Sequence, residues 1–536
     1  MSSKKAADFR VTKEQISEDN VRYLHVSFPT NEGVGDARVP RGALTEVGRA
    51  KTAFANAGAI LPDDPAEVFK RLLMSRSHKI ERITGNGGWH DDQFVTVAAT
   101  YSRQKSKVRI LFDPDHRAAT APQQAGDVAS FIEGVKPFLE ASDYLLFSYI
   151  LGLAAPLGAR IGRGQGFTAS ITQVSGSGKT LCIRLAHALG NHAEEEDLQN
   201  FADTMGVFLD NLPAFGGRCL GFGDIKASTS MKEALTKLKA LVFNASAKST
   251  KKRLNERPKP NPQFLIPFVS AERPLIELFM EEKIDFDKGD TARIIELHPP
   301  KAEEGGIFAG KANSIDLALE LERFLACNYG TVLPRWAKVL SKHRPTSWTK
   351  WVEEKEASFL ADVGNLSPRY ARIVKHFAFM AATGGLLVRL NALPVSQDRV
   401  TETMRQLFWK YVETLERDDS EARQRWLDFF DFLDDETALP LLAAGKAPSI
   451  KPKNGFRRKE GGMSVVYLKR QSIIPLFGSA SVVDSVVLPL LLRHECLTRT
   501  PTGDLTVPVK QSGLGRSRYY RLSVPKLLQA KAEIVG

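Results

Sequence analysis

Eight residues, Gln173-Val-Ser-Gly-Ser-Gly-Lys-Thr180, restrict the fold of this chain more than any other stretch. They lie between an alternating, β-prone run, Gly166 to Thr172, and a run of helical periodicity, Leu181 to Leu189, that ends at Gly190. A strand, a glycine-rich turn and a helix in that order form a loop whose backbone N–H groups curl around phosphate oxygens. Gly176 and Gly178 permit the curl, because glycine takes left-handed backbone angles without steric cost. The helix adds the positive end of its dipole. Lys179 supplies a point charge for the β- and γ-phosphates of a nucleotide, and the Thr180 hydroxyl suits Mg2+. Val174, Ser175, Gly176, Ser177, Gly178, Lys179 and Thr180 are therefore the expected nucleotide-binding residues, with ATP and Mg2+ as ligands. The usual pattern opens with another glycine, and Gln173 stands in that place. The bland alternative is a Gly/Ser-rich turn with a solvated lysine, and the flanking strand and helix weigh against it.

Such a loop needs a carboxylate on a neighbouring strand to hold metal and orient water. Asp224, closing the apolar run Cys219-Leu-Gly-Phe-Gly-Asp, is the first candidate for this catalytic and metal-binding role. Two adjacent acids are usual there, and Gly223 occupies the first acidic place. Asp210 competes, although Asn211-Leu-Pro behind it reads as a turn. Ser270 ends the next apolar run, Gln263 to Ser270, where a polar tip can sense a γ-phosphate. Arg293 opens a further strand and can reach a phosphate in its own subunit or a neighbour's, stabilising charge in the transition state.

A chain of 536 residues is too long for one ordinary core, and four regions are expected. Residues 1–126 read as an α/β module, with a strand over Val21–Phe28, a helix over Ala43–Ala57 and short strands in Phe94–Thr100 and Lys107–Phe112. Residues 127–312 read as the nucleotide-binding core, opened by an apolar helix over Leu145–Leu157. Residues 313–444 read as helical throughout. Residues 445–536 open with a Lys/Pro/Gly-rich linker, Gly445–Gly462, and continue with a strand-and-helix order that fits a winged helix.

No run of 18 apolar residues occurs, so no membrane-spanning helix and no membrane partner are expected. The first residues lack the apolar segment of a secretory signal, which points to the cytoplasm. The four cysteines are scattered, without metal-ligand spacing. Lysine and arginine exceed acids by 74 to 62, which suits a polyanionic partner. Basic residues concentrate at Lys248–Lys259, in the Lys446, Lys451, Lys453, Arg457, Arg458, Lys459 run, and around Lys510, Arg516, Arg518 and Arg521 with Tyr519 and Tyr520. Cations interleaved with aromatics suit a nucleic-acid backbone with base stacking.

Several strings together give the chain a resemblance to a phage and plasmid replication-helicase family. That family is often filed as a domain of unknown function C-terminal to primase domains, and it is similar to the AAA+ rings of the MCM-like group. The strings are Ile80 to His90 followed by Phe94-Val95, Ala154-Ala-Pro-Leu157, Thr204 ahead of Asp224, Ser270-Ala-Glu272, Gly289 to Arg293, Asn328-Tyr-Gly330, and Arg372 to Gly385. The resemblance implies an α/β fold: an AAA+ P-loop core with an N-terminal α/β module, a helical lid region and a C-terminal winged-helix-like domain. It implies that Arg293 is the finger or sensor arginine and that Asp224 takes the place of the family's glutamate. The implied function is an ATP-dependent replicative DNA helicase, a ring (a homohexamer) translocating on single-stranded DNA with a separate primase or polymerase, since no primase region is present. Gln173 and Gly223 depart from the pattern. They leave open an ATP-assembled, weakly hydrolysing DNA-binding ring or helicase loader. A protein-remodelling ATPase is a further alternative that the basic linker and tail disfavour.

Overall fold

The computed structural model describes residues 9–535 except 78, 104–107, 122, 165, 226–229, 247–263, 285–288, 290–291, 365, 367–369, 419, 444–451, 479 and 512–514. At the N-terminus, β1 (Arg10–Ile16), β2 (Arg22–Thr30) and β3 (Gly33–Pro40) form an antiparallel meander. Two helices, α1 (Val47–Asn56) and α2 (Pro65–Met74), cover it. The second starts where Asp64 accepts hydrogen bonds from Ala66 N and Glu67 N, with Pro65 at its first position. Phe9, Phe28, Phe54 and Phe69 stack into a small core of their own. The sheet is completed in the order β3-β2-β1-β4-β8 by β4 (Ile80–Thr84) and, after β5 (Gly88–His90), β6 (Gln93–Val95) and β7 (Thr100–Tyr101), by β8 (Arg109–Phe112). The run expected as one strand over Phe94–Thr100 is thus split: β6 and β7 pair antiparallel through a turn that Thr96 closes by bonding Ala99.

Next come α3 (Val128–Ala141), capped by Asp127, and α4 (Asp143–Arg160), capped by Ser142. Apolar on every side, α4 is buried along nearly its whole length and forms the spine of the protein. Trp89 of β5 donates to Pro156 O of α4 (2.8 Å), which fastens the N-terminal region to that spine.

The second sheet contains β9 (Thr168–Thr172), β10 (Cys219–Asp224), β11 (Ile266–Ala271) and β12 (Ile294–Leu297), all parallel, in the order β10-β11-β9-β12. Its central strands are buried on both faces, as parallel strands covered by helices must be. Helices described within this stretch include α5 (Lys179–Ala188), α6 (Met205–Asn211), α7 (Met231–Ser246) and α8 (Leu275–Glu281).

Among the described residues six helices follow: α9 (Ser314–Cys327), α10 (Val332–Leu340), α11 (Pro345–Val363), α12 (Ala371–Arg389), α13 (Gln397–Asp418) and α14 (Ser420–Asp434). Side-chain donors on aromatic rings tie them to the core: Trp336 to Leu153 O (3.0 Å), Tyr411 to Ile294 O (2.9 Å), and Tyr149 of α4 to Ala392 O (2.7 Å). By length and composition α12 is apolar enough to cross a membrane, and 78% of that stretch is buried inside the protein.

The C-terminal region holds β13 (Gly455–Glu460), β14 (Met463–Leu468), α15 (Arg470–Phe477), α16 (Ala480–Val482) running through a π-turn into α17 (Leu488–Arg493), β15 (Thr506–Gln511), β16 (Gly515–Ser523) and α18 (Val524–Val535). The strands form an antiparallel sheet, β13-β14-β16-β15. Two expectations change here. The segment expected as a basic linker is partly β13, while residues 444–451 lie outside the described residues. Arg458, moreover, lies over the Phe456 and Tyr467 rings instead of standing free in solvent. Tyr519 and Tyr520, expected as base-stacking aromatics, are buried. The cause is that β16 is a central strand with both faces covered: Tyr519 packs on Phe456 and Tyr467, while Tyr520 joins the main core on the other face.

Candidate nucleotide-binding site

The turn from Gln173 to Gly178 leaves the carboxyl end of β9 and enters α5 at Lys179. Gly176 (φ +83°) and Gly178 (φ +88°) have left-handed backbones, so the loop coils in a way that side chains with a Cβ resist. At Gly178 a Cβ would also come within 2.7 Å of Ile307. Residues 174–176 face solvent, whereas Lys179 is only 7% exposed. Its Nζ turns back over the loop and donates to Val174 O at 3.1 Å. A buried ammonium folded into a ring of its own loop is where a phosphate group would be met. The Ser177 hydroxyl is buried and has no hydrogen-bond partner among the described residues, a polar atom with unused capacity beside that ring. These features fit the polyphosphate of a nucleotide, with the half-buried Thr180 beside Lys179 at the start of α5.

Gln173 has a definite task. Its Nε2 donates to Pro299 O (2.8 Å) and its Oε1 accepts from Val174 N (3.0 Å), so the loop's first residue is pinned to the segment after β12. Next to it, the Thr172 hydroxyl and His298 Nδ1 are 2.8 Å apart. The segment after β12 then folds over the loop: Ile307 N donates to Ser177 O (2.9 Å), and Gly306 lies flat against Ser177.

Asp224 ends β10 at the same edge of the sheet. Register pairs it with Ser270 of β11, and Ser270 with Ile171 of β9, so both stand level with the base of the loop. Asp224 is two strands from β9, roughly 10 Å at the usual strand spacing. That gap suits a phosphate and a hydrated cation better than direct contact with Lys179. Gly223 is the extra residue of a β-bulge between the pairs Phe222↔Val269 and Asp224↔Ser270. Bulges bend a strand and re-aim the side chain that follows, so the glycine in the expected acidic place sets the direction of Asp224. A Cβ at Gly223 would meet nothing within 4 Å. Gln199 pairs with the outer edge of β10 opposite Phe222 and bonds Gly221 O and Gly223 N, steadying the bulge. Asp210 is exposed on α6 and ends no strand.

Ser270 is 2% exposed at the tip of β11. Arg293 lies elsewhere. Its carbonyl accepts from Thr168 N at the start of β9, so it sits five residue steps below Thr172, about 16 Å by strand rise. Its guanidinium lies over the half-exposed Phe243 ring. The reach to a phosphate in its own subunit, one of the two options in the sequence, is therefore closed. Among the described residues no cluster of three or more His, Cys, Asp or Glu side chains assembles, so protein ligands alone do not make a metal cage. Burial pushes the thiols of Cys182, on α5, and Cys219, at the far end of β10 from Asp224, up to about 12, which disfavours the thiolate at both.

Residues 33–230 match the family described as "Domain of unknown function (DUF927)". That stretch runs from β3 through the phosphate loop to just beyond the strand bearing Asp224. A solved structure described as "SCCmec type IV Cch - active helicase" is similar with a TM-score of 0.58, covering 98% of this chain and 94% of its own, at 14% sequence identity. At that identity the likeness concerns the fold, a helicase-like α/β fold with a parallel sheet and helices. No curated protein matches the sequence.

The sequence alone did not reveal His298, Gln199 or the Gly306-Ile307 contact as parts of the site. They come from segments far along the chain, and only the pairing of β9 with β12 and the edge contact on β10 bring them in. The Pro299-Pro300 pair was the one available signal, since it ends β12 just where the chain must turn over the loop.

Proposed function

We propose that this chain is an ATPase of the AAA+ type that works as a ring on single-stranded DNA, coupling ATP hydrolysis to movement along the strand. The observation that carries the reading is the strand order. With β11 between the loop strand and the acid strand, Lys179, Ser270 and Asp224 lie along one edge of one parallel sheet. In this reading Val174 to Thr180 hold the triphosphate, and Lys179 leaves Val174 O to meet it. Ser270 senses the terminal phosphate, and Asp224 orients water or metal. The Thr180 hydroxyl would help hold Mg2+, which would supply neutralisation of phosphate charge at the loop. Arg293, remote from its own loop, serves a neighbouring copy, so an assembled ring completes each site. The helices from α9 to α14 act as the lid region. The arrangement of β14, β16 and β15 around α15–α17 supports a winged-helix-like domain that contacts DNA.

ATP turnover measured with and without single-stranded DNA tests this reading. Lys179→Ala removes a charged hydrogen-bond donor, worth about 1.5–3 kcal/mol, so ATP binding should weaken by about 10- to 150-fold and DNA-stimulated turnover should vanish. Unchanged turnover would refute the reading. One observation favours a second reading, an ATP-assembled ring or loader with weak hydrolysis: Gly223 leaves a single acid at the strand tip. Ring assembly on ATP without DNA-stimulated turnover would support it.

A further inference from the structure

A cleft of about 750 Å3 opens on the protein well away from the phosphate loop, between the end of β7, the segment before α3 and the helix α10. Among the described residues four cations line it: Arg103, Arg335, Lys338 and Lys342. All four are exposed, and among the described residues none has an ion-pair partner. Thr331, at the mouth of α10, is 8% exposed, and its hydroxyl has no hydrogen-bond partner among the described residues. One acid, Asp127, also lines the cleft. Its Oδ1 is committed to the amides of Ala129 and Ser130, and its Oδ2 to the Ser130 hydroxyl, at the start of α3. Unpaired cations around an unsatisfied buried hydroxyl describe a place built for an anion.

The spacing of the cations indicates which anion. Arg335 and Lys338 are three residues apart on one helix face, and Lys342 follows four residues later in the turn beyond it. The stripe runs about 10 Å by helical rise, too long to converge on one phosphate group and suited to a short run of them. Among the described residues no aromatic side chain lines the cleft, so they offer no base-stacking platform, and their contacts would be to backbone alone.

The position matters as well. Gly330 N donates to Ala188 O and Leu333 N to Leu189 O, both at 2.7 Å, which latches the segment carrying Thr331 to the far end of α5. The ten residues of α5 measure about 15 Å, with the phosphate loop at one end and the cleft at the other. We infer that this cleft is a sequence-independent binding site for the phosphodiester backbone of single-stranded nucleic acid, separate from the nucleotide site; the choice of nucleic acid as the polyanion rests on the function proposed above.

The test is the salt dependence of binding of the full chain to a labelled oligodeoxythymidylate. Three single-strand phosphate contacts contribute about 2 to the slope of log K against log salt. The triple variant Arg335→Ala, Lys338→Ala, Lys342→Ala should therefore lose about 2 from the slope, which is about 100-fold in affinity near 0.1 M salt if the curves meet near 1 M. The charge-preserving variant Arg335→Lys, Lys338→Arg, Lys342→Arg should keep the wild-type slope, and ATP binding should be unchanged in both. A wild-type slope in the alanine variant overturns the cleft site while leaving the proposed ATPase intact. No salt-dependent binding by the wild type overturns both. Loss of binding to polyglutamate in the alanine variant, with oligonucleotide binding unchanged, assigns the cleft to an acidic protein and also overturns the proposal.

Discussion

Gly306→Ala tests whether the segment after β12 holds the phosphate loop in shape. Gly306 has φ +56°, a left-handed backbone that costs a residue with a Cβ about 1–2 kcal/mol. The new Cβ would lie 2.4 Å from Ser177 O, 2.8 Å from its carbonyl carbon and 2.9 Å from its Cα. These are backbone atoms, so no rotamer change relieves the overlap. Overpacking of this kind costs about 1–3 kcal/mol. The chain can escape by lifting the segment off the loop. That route gives up the Ile307 N to Ser177 O bond, about 1 kcal/mol, and exposes the buried Ile307, about 2 kcal/mol more. Both routes cost about 3 kcal/mol, and both distort the loop. ATP affinity, measured by titration calorimetry, should fall at least about tenfold, and the urea midpoint of the affected unfolding transition should drop. The control is Gly310→Ala, which has φ +80° but nothing within 4 Å of an added Cβ. It should lose about 1 kcal/mol of stability and keep its ATP affinity. If Gly306→Ala behaves like Gly310→Ala, the segment does not shape the loop and the reasoning fails.

Gly223→Asp should fold normally, since its Cβ enters open space, and should raise ATP turnover in steady-state assays by adding a second carboxylate beside Asp224; turnover equal to or below wild type counts against a shortage of acid at the bulge. Tyr519→Ala should lower stability by about 3 kcal/mol in urea unfolding, because it empties a packed position between Phe456 and Tyr467; intact stability with reduced DNA binding would point back to base stacking. Burial lowers the pKa of His187, 7% exposed at the end of α5, from 6.5 to about 4, with the Arg218 charge adding to the effect. The unfolded chain takes up a proton near pH 6.5 that the folded one refuses until about pH 4. His187 therefore contributes its full stability above pH 6.5 and loses on the order of 3 kcal/mol as pH falls toward 4. His187→Gln should flatten that part of the stability–pH curve, and an unaltered curve would show that other groups set the acid limit.

The strand, loop and helix around Lys179 were legible because local chemistry dictates them: β-prone alternation, two glycines needing left-handed angles, then helical periodicity. The apolar spine helix was legible for the same reason, since a run apolar on all sides can only be interior. Placement of β11 between β9 and β10 was not, because parallel pairing joins residues some fifty to a hundred positions apart and leaves no local trace. Gly223 reads in sequence as a missing acid and in the fold as a bulge. Register, which one sequence does not reveal, makes the difference. Tyr519 and Tyr520 misled because adjacent strand residues point to opposite faces. Two neighbouring aromatics therefore signal either a wet ladder or a strand wrapped on both sides, and here it is the second.

The main apolar core is continuous from Phe94 to Ile534. Phe477 sits against Trp426 and Phe429, with ring centres 4.8 Å and 5.6 Å away, so the C-terminal region is sealed to the preceding helices by a knot of rings. A truncated protein ending near residue 444 would leave those rings bare to water and prone to clump. Failure of such a fragment to grip DNA would then report stickiness, not a missing contact. Single-charge substitutions leave that seam closed, and they are the cleaner way to learn where a strand runs across this protein.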